Sequence, residues 1–163
     1  MSFATFSGPA RFGTVKEGTG VNTGLPVLTQ SVTVAATVAK TSGAVAQALM
    51  TLPAGSKITR FQIEKTVAIS GNSVSEVAAV IGTSGTANKY MTSANIAVAA
   101  GMTAQATLDA ATVSAETNNI GTSDVTLYGT FTASTGNPTA GTIVITVHYI
   151  QRNADGSQTP ASA

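Results

Sequence analysis

The single histidine is the natural starting point for catalytic chemistry in this sequence. His148 stands in the most regular alternating stretch of the chain, and Asp124 opens the alternating stretch before it. Spacing alone therefore leaves a Ser-His-Asp arrangement open. The Gly-x-Ser-x-Gly nucleophile elbow is missing, because Gly82-Thr83-Ser84-Gly85 lacks its final spacing. We expect a structural role for His148, and a cryptic hydrolase is the weakest of three functional hypotheses.

The other residue types that support chemistry are too sparse to form a recognisable site. Seven acidic residues are spread over 163 positions without a paired-carboxylate motif. With no cysteine and one histidine, the chain has no thiolate nucleophile and no zinc site of the usual ligand count. The glycines of 18–24 do not have dinucleotide-binding spacing, and 153–157 matches only a fragment of a calcium loop. The sequence therefore predicts no enzyme, no cofactor and no metal.

Charge and composition favour a protein that assembles. Eight basic and seven acidic residues leave a net charge of +1 and a charged fraction of 9%, against about 25% in an average soluble domain. The basic residues are scattered, which predicts no nucleic-acid partner, and no apolar stretch is long enough to predict a membrane span. No secretion signal is recognisable, so we expect synthesis in the host cytoplasm. A nearly neutral surface favours burial against copies or partners.

The N-terminal segment 1–25 is predicted to be an extended arm. It contains five glycines and shows neither a period of 2 nor one of 3.6. Aromatic side chains in a segment too short for its own core need a surface to pack on, either the body of the domain or a neighbouring subunit. The candidate contact residues are Phe3, Phe6, Arg11, Phe12 and Lys16.

The segment 26–151 has the pattern of a β domain. Apolar and polar residues alternate in four stretches, at 32–38, 57–67, 125–131 and 142–150. Seven or eight short strands, separated by turns rich in Gly, Pro, Ser and Asn, predict an all-β fold, a single β-sandwich or barrel. Residues 87–106 fit a strand, a loop or one or two short helices. The polar segment 152–163 is predicted to be a flexible tail.

Two of the alternating stretches make more detailed predictions. In 57–67, Ile58 is out of phase with Phe61, Ile63 and Val67, and a bulge near Thr59 would bring it to the same face.

The stretch 142–150 carries apolar residues on both faces. One face has Ile143, Ile145, Val147 and Tyr149, and the other has Val144, Thr146, His148 and Ile150. Because both faces look buried, we expect the second face to lie in an oligomer interface through Val144, His148 and Ile150.

Four stretches of the sequence resemble small virion structural proteins of tailed bacteriophages, in particular head decoration (cement) proteins and short head fibres. The stretches are Phe6-Ser7-Gly8-Pro9-Ala10-Arg11-Phe12-Gly13-Thr14-Val15 leading to Val27-Leu28-Thr29-Gln30; Leu49-Met50-Thr51-Leu52-Pro53-Ala54-Gly55-Ser56-Lys57-Ile58; Ala79-Val80-Ile81-Gly82-Thr83; and Ala140-Gly141-Thr142-Ile143-Val144-Ile145-Thr146-Val147-His148-Tyr149.

This resemblance implies that the all-β domain is a single jelly-roll-like β-sandwich. It also implies a homotrimer that sits on the capsid exterior of the virion and clamps neighbouring subunits of the phage major capsid protein. In that setting the arm residues would contact the capsid. The family has no catalytic residues to transfer to this chain.

A receptor-binding module of a tail or head fibre is the alternative function. Its contact surface would be the polar loop that contains Glu116, Asn118, Asn119 and Asp124. The scarcity of aromatic residues, at 5% of the chain, argues against a sugar-stacking platform.

Overall fold

A computed structural model describes residues 27–97, 105–108 and 119–151. Over these residues the chain forms eight β-strands and one short 3₁₀ helix, Ala36–Val38. The strands are β1 Leu28–Ala35, β2 Gln47–Leu52, β3 Lys57–Ser70, β4 Glu76–Gly82, β5 Met91–Ala97, β6 Gln105–Leu108, β7 Val125–Ala133 and β8 Ala140–Ile150.

The strands form two four-stranded antiparallel sheets that pack as a sandwich. Sheet 1 has the order β1-β8-β3-β6, and sheet 2 has the order β2-β7-β4-β5. Consecutive strands lie in opposite sheets, except for the neighbours β4 and β5. The prediction of an all-β sandwich with seven or eight strands is confirmed. The jelly-roll topology that the resemblance implies stays a prediction.

The core lies between the two sheets, where the period-2 alternation of each strand points its apolar side chains. Phe61 of β3 and Phe131 of β7 are phenylalanines of the opposing sheets, and both are buried. Aliphatic side chains fill the space around them, among them Leu52, Ile63, Ile81, Leu127, Ile143 and Ile145. Apolar burial of this kind is the main contribution to the stability of the fold.

Two irregularities in β3 decide which of its side chains reach the core. The first register shift against β8 lies between Ile58 and Arg60, so the predicted bulge at Thr59 is confirmed and Ile58 is buried. A second shift lies between Lys65 and Val67. The prediction that Val67 shares the core face of Phe61 is wrong, because this second bulge turns Val67 outward, where it is 54% exposed.

The stretch 87–106, which the sequence left open, contributes to both sheets. β5 pairs with β4 at one edge of sheet 2, and β6 pairs with β3 at one edge of sheet 1. No α-helix is present in the described part of this stretch. The predicted arm 1–25 and tail 152–163 lie outside the described residues, and the strands run from Leu28 to Ile150.

Candidate interaction surface

His148 and Asp124, the two residues considered for a catalytic triad, are each engaged elsewhere. The Arg60 guanidinium lies 3.1 Å from His148 Nε2. Because arginine only donates, Nε2 accepts this hydrogen bond and the imidazole is neutral, with its proton on Nδ1. The Asp124 carboxylate accepts a hydrogen bond of 2.9 Å from the backbone N–H of Ala54. Both side chains therefore have structural partners in this fold.

Burial is the larger cause that lowers the pKa of His148, and the positive charge of Arg60 lowers it further. Both effects disfavour the charged imidazolium form. The His148 backbone is held as well, since the Thr59 hydroxyl donates a 3.0 Å hydrogen bond to the His148 carbonyl oxygen. The bulge at Thr59 thus positions the one histidine of the chain.

Two structural features are absent from the part of the chain that the structure describes. Among residues 27–97, 105–108 and 119–151, no three or more His, Asp or Glu side chains are grouped so that they could hold a metal ion. The same residues form no helix that is long and apolar enough to cross a membrane.

The outer face of sheet 1 carries the three residues predicted as an oligomer interface. Val144, His148 and Ile150 all point outward from β8 and are half-buried within the single chain. The alternate residues, such as Ile145 and Val147, are fully buried in the core. The inner face of β8 is therefore buried by the fold itself, and part of the outer face stays available for a partner.

The neighbours of these residues on β1 and β3 give the outer face its chemistry. Val144 lies between Thr33 and Glu64, and His148 lies between Thr29 and Arg60. Further rows pair Ser31 with Thr146, whose hydroxyls are 2.7 Å apart, and Ile150 with Lys57. The face is thus a flat array of short polar and β-branched side chains, with cations at one end and a carboxylate nearer the middle.

The outer face of sheet 2 is neutral along its central rows. From β7 it presents Thr126, Tyr128, Thr130 and Thr132, and from β4 it presents Ala78 and Val80. The hydroxyls of Thr51 and Thr126 lie 3.0 Å apart across β2 and β7. Surfaces of this type pack against other β surfaces with hydrogen bonds and without burying charge.

The described part of the predicted receptor loop is tied to the turn between β2 and β3. The Ile120 N–H donates to the Ser56 carbonyl at 3.1 Å, and the Gly55 N–H donates to the Gly121 carbonyl at 2.7 Å. Asn119 accepts a hydrogen bond from the Gly121 N–H, and both Asn119 and Asp124 are solvent-exposed. Glu116 and Asn118 lie outside the described residues.

The predicted arm contacts also fall outside the described residues. The segment before residue 27 contains all five of them, Phe3, Phe6, Arg11, Phe12 and Lys16.

One buried lysine escaped the sequence analysis. Lys65 is fully buried on the inner side of β3, opposite Ile143. Fully buried lysines are rare, so residue type argued against an inward position. The signal that could have located it is its phase, two residues after Ile63.

Comparison with known proteins gives two solved structures. One is a chain of "Cyanophage Pam1 capsid asymmetric unit", 20% identical, covering 91% of this chain and 99% of that chain with a TM-score of 0.49. The other, from "Bacillus endospore appendages form a novel family of disulfide-linked pili", is 15% identical, covering 85% of this chain and all of that chain with a TM-score of 0.33. No protein-family model and no curated protein matches the chain.

Proposed function

We propose that this chain is a non-enzymatic virion structural protein that binds the outside of a phage capsid as a homotrimer and stabilises neighbouring coat subunits. The assignment to a virion rests on the sequence resemblance to head decoration proteins and head fibres. The observation that carries the assembly role is the outer face of sheet 1, where Val144, His148 and Ile150 line one strand flanked by neutral β1.

The physical basis of the stabilisation is mass action. A protein that binds only the assembled coat stabilises it by an amount that grows with its concentration over the dissociation constant. A trimer multiplies a weak contact, because the second and third attachments occur at high effective concentration. The proposed partner is the major capsid protein, and the proposed attachment is the N-terminal arm, residues 1–25.

Electron micrographs of purified virions, labelled with antibody against this chain, test the location. Label over the head supports the proposal, and label over the tail assigns the chain to a fibre instead. If gel electrophoresis detects the chain in the cell extract but the purified virions carry no label, both the head assignment and the fibre assignment are contradicted. Heads stripped of the chain supply the functional test: adding back the purified protein should raise the temperature at which they release DNA.

No observation in the described loop favours the receptor-binding alternative over the capsid proposal. The two described residues, Asn119 and Asp124, hold backbone N–H groups of the fold. Asp124→Ala should therefore lower the unfolding free energy by about 0.5–1.5 kcal/mol, the usual value of one hydrogen bond, and leave attachment of virions to cells unchanged. A large loss of attachment with unchanged stability would support the receptor loop.

A further inference from the structure

The outer edges of the two sheets differ in how well they are protected against pairing with another chain. Natural sheets protect their edges with short strands, bulges, prolines or charges. β2 is interrupted by a register shift between Ala48 and Met50 and ends before Pro53, and the pairing of β5 shifts opposite 79–81. β6 spans only four residues.

β1 has none of these protections. Its eight residues pair with β8 in one unbroken register from Leu28 to Ala35, and they include no proline and no charged side chain. Among the described residues, β8 is the only strand that pairs with β1, so the other side of β1 is an edge of sheet 1.

The burial pattern shows that this side of the sandwich is incompletely covered. Leu28 and Val32 point toward the core but are only partly buried. Their partners on β8, Tyr149 and Ile145, are 5% and 0% exposed. Val27, just before the strand, is 56% exposed. One more strand beside β1 would cover these apolar side chains.

We propose that the edge of β1 pairs antiparallel with β1 of a second copy of this chain, about a twofold axis at Ser31. In an antiparallel pair the numbers of opposite residues have a constant sum. Inward residues lie opposite inward residues only if this sum is even, which an axis at Ser31 fulfils. With the axis at Ser31, Leu28 lies opposite the partner's Val34, and Val27 lies opposite the partner's Ala35. In the same register Val32 lies opposite the partner's Gln30. A partner strand therefore lies beside all three apolar side chains that the single chain leaves open.

The strand is suited to pairing with itself because it is uncharged and because an axis at Ser31 places Thr29 opposite the partner's Thr33. Thr29 and Thr33 point outward on either side of it, and Gln30 and Val32 point inward. No charge is placed opposite a like charge, which would oppose the pairing. A second copy also brings an identical row of backbone N–H and C=O groups. The pairing therefore gives the backbone groups of both edges hydrogen-bond partners at once.

This contact is separate from the homotrimer proposed above and does not depend on the capsid assignment. A twofold contact cannot lie within a threefold ring, so it joins one ring to another. A single strand pair is small compared with stable interfaces. We therefore expect it at high protein concentration in solution and between neighbouring molecules held on a lattice.

Disulfide trapping tests the proposed axis directly, because the chain contains no cysteine. In Ser31→Cys the two thiols lie opposite each other, at a Cα separation of about 4.5–5.5 Å that suits a disulfide. Mild oxidation of the concentrated full-length protein should give a covalent dimer at least about tenfold faster than in Thr51→Cys, the control on edge strand β2. Equal rates in the two variants would overturn the proposal.

Charge complementation supplies a second, reversible test. Ser31→Lys and Ser31→Asp each place two like charges on the axis, so each variant alone should lose the concentration-dependent doubling of mass in sedimentation. A mixture of the two variants should recover it. Doubling that persists in both single variants, or a mixture that behaves as each variant alone, contradicts the proposal. Cross-linking of Ser31→Cys to a different protein in virions, without self-cross-linking, also contradicts it.

Discussion

Replacing Val144 by lysine tests whether the outer face of sheet 1 is a contact between copies of the chain. Val144 lies in the middle of β8, directly opposite Glu64 of β3. A lysine at this position therefore faces a carboxylate within its own chain. An opposite-charge cross-strand pair stabilises a sheet by about 0.2–1 kcal/mol, so the variant chain should fold as the original does.

The expected loss is in assembly. Val144 is half-buried in the single chain, so a partner can cover roughly the other half of a side chain whose full burial is worth about 1.5–3 kcal/mol. The association free energy should fall by about 1 kcal/mol per copy and about 3 kcal/mol per trimer. Taking the lysine ammonium group out of water adds a further cost. A loss of about 3 kcal/mol weakens association by roughly a hundredfold.

Multi-angle light scattering at low micromolar concentration, in physiological salt, measures the outcome. The original chain should have about three times its monomer mass of 16.2 kDa, and Val144→Lys should have the monomer mass with an unchanged far-ultraviolet circular dichroism spectrum. Thr130→Lys, on the outer face of sheet 2, is the matched control and should stay trimeric. A monomeric original chain, or dissociation in the control but not in Val144→Lys, would refute the reasoning.

Three further predictions concern pH, packing and the arm. Burial and the adjacent arginine lower the pKa of His148 below 6.5. The folded chain therefore binds the imidazole proton less tightly than the unfolded chain does, and the free energy of unfolding should fall as the pH drops below 6.5. His148→Gln should flatten that slope in urea unfolding, and equal slopes would contradict the assignment. Gly136→Ala should destabilise by about 1–3 kcal/mol, because a Cβ there meets the Asn72 backbone carbonyl, whereas Gly85→Ala has open space and should be neutral in thermal unfolding. Deleting residues 2–25 should leave a folded trimer that no longer binds stripped heads; binding equal to that of the full chain would place the attachment on the sandwich.

The sequence by itself determined the class of the fold, because the side-chain period of a strand is local. The alternation at 125–131 and 142–150 appears in the structure as β7 and β8. The phase of Ile58 also indicated the bulge at Thr59, since one extra residue is what returns it to the core face. Both inferences need only neighbouring residues and the period of 2.

Tertiary structure decided what depends on partners distant in the chain. The 3.1 Å contact between Arg60 and His148 joins residues 88 positions apart, and it exists only because β3 lies beside β8. The second bulge of β3 turns Val67 outward, against its hydrophobicity. No local pattern reports such a shift, because the register of a strand is set by the strand it pairs with. For the same reason the order of the strands, and with it the uncovered edge of β1, appears only in the folded chain.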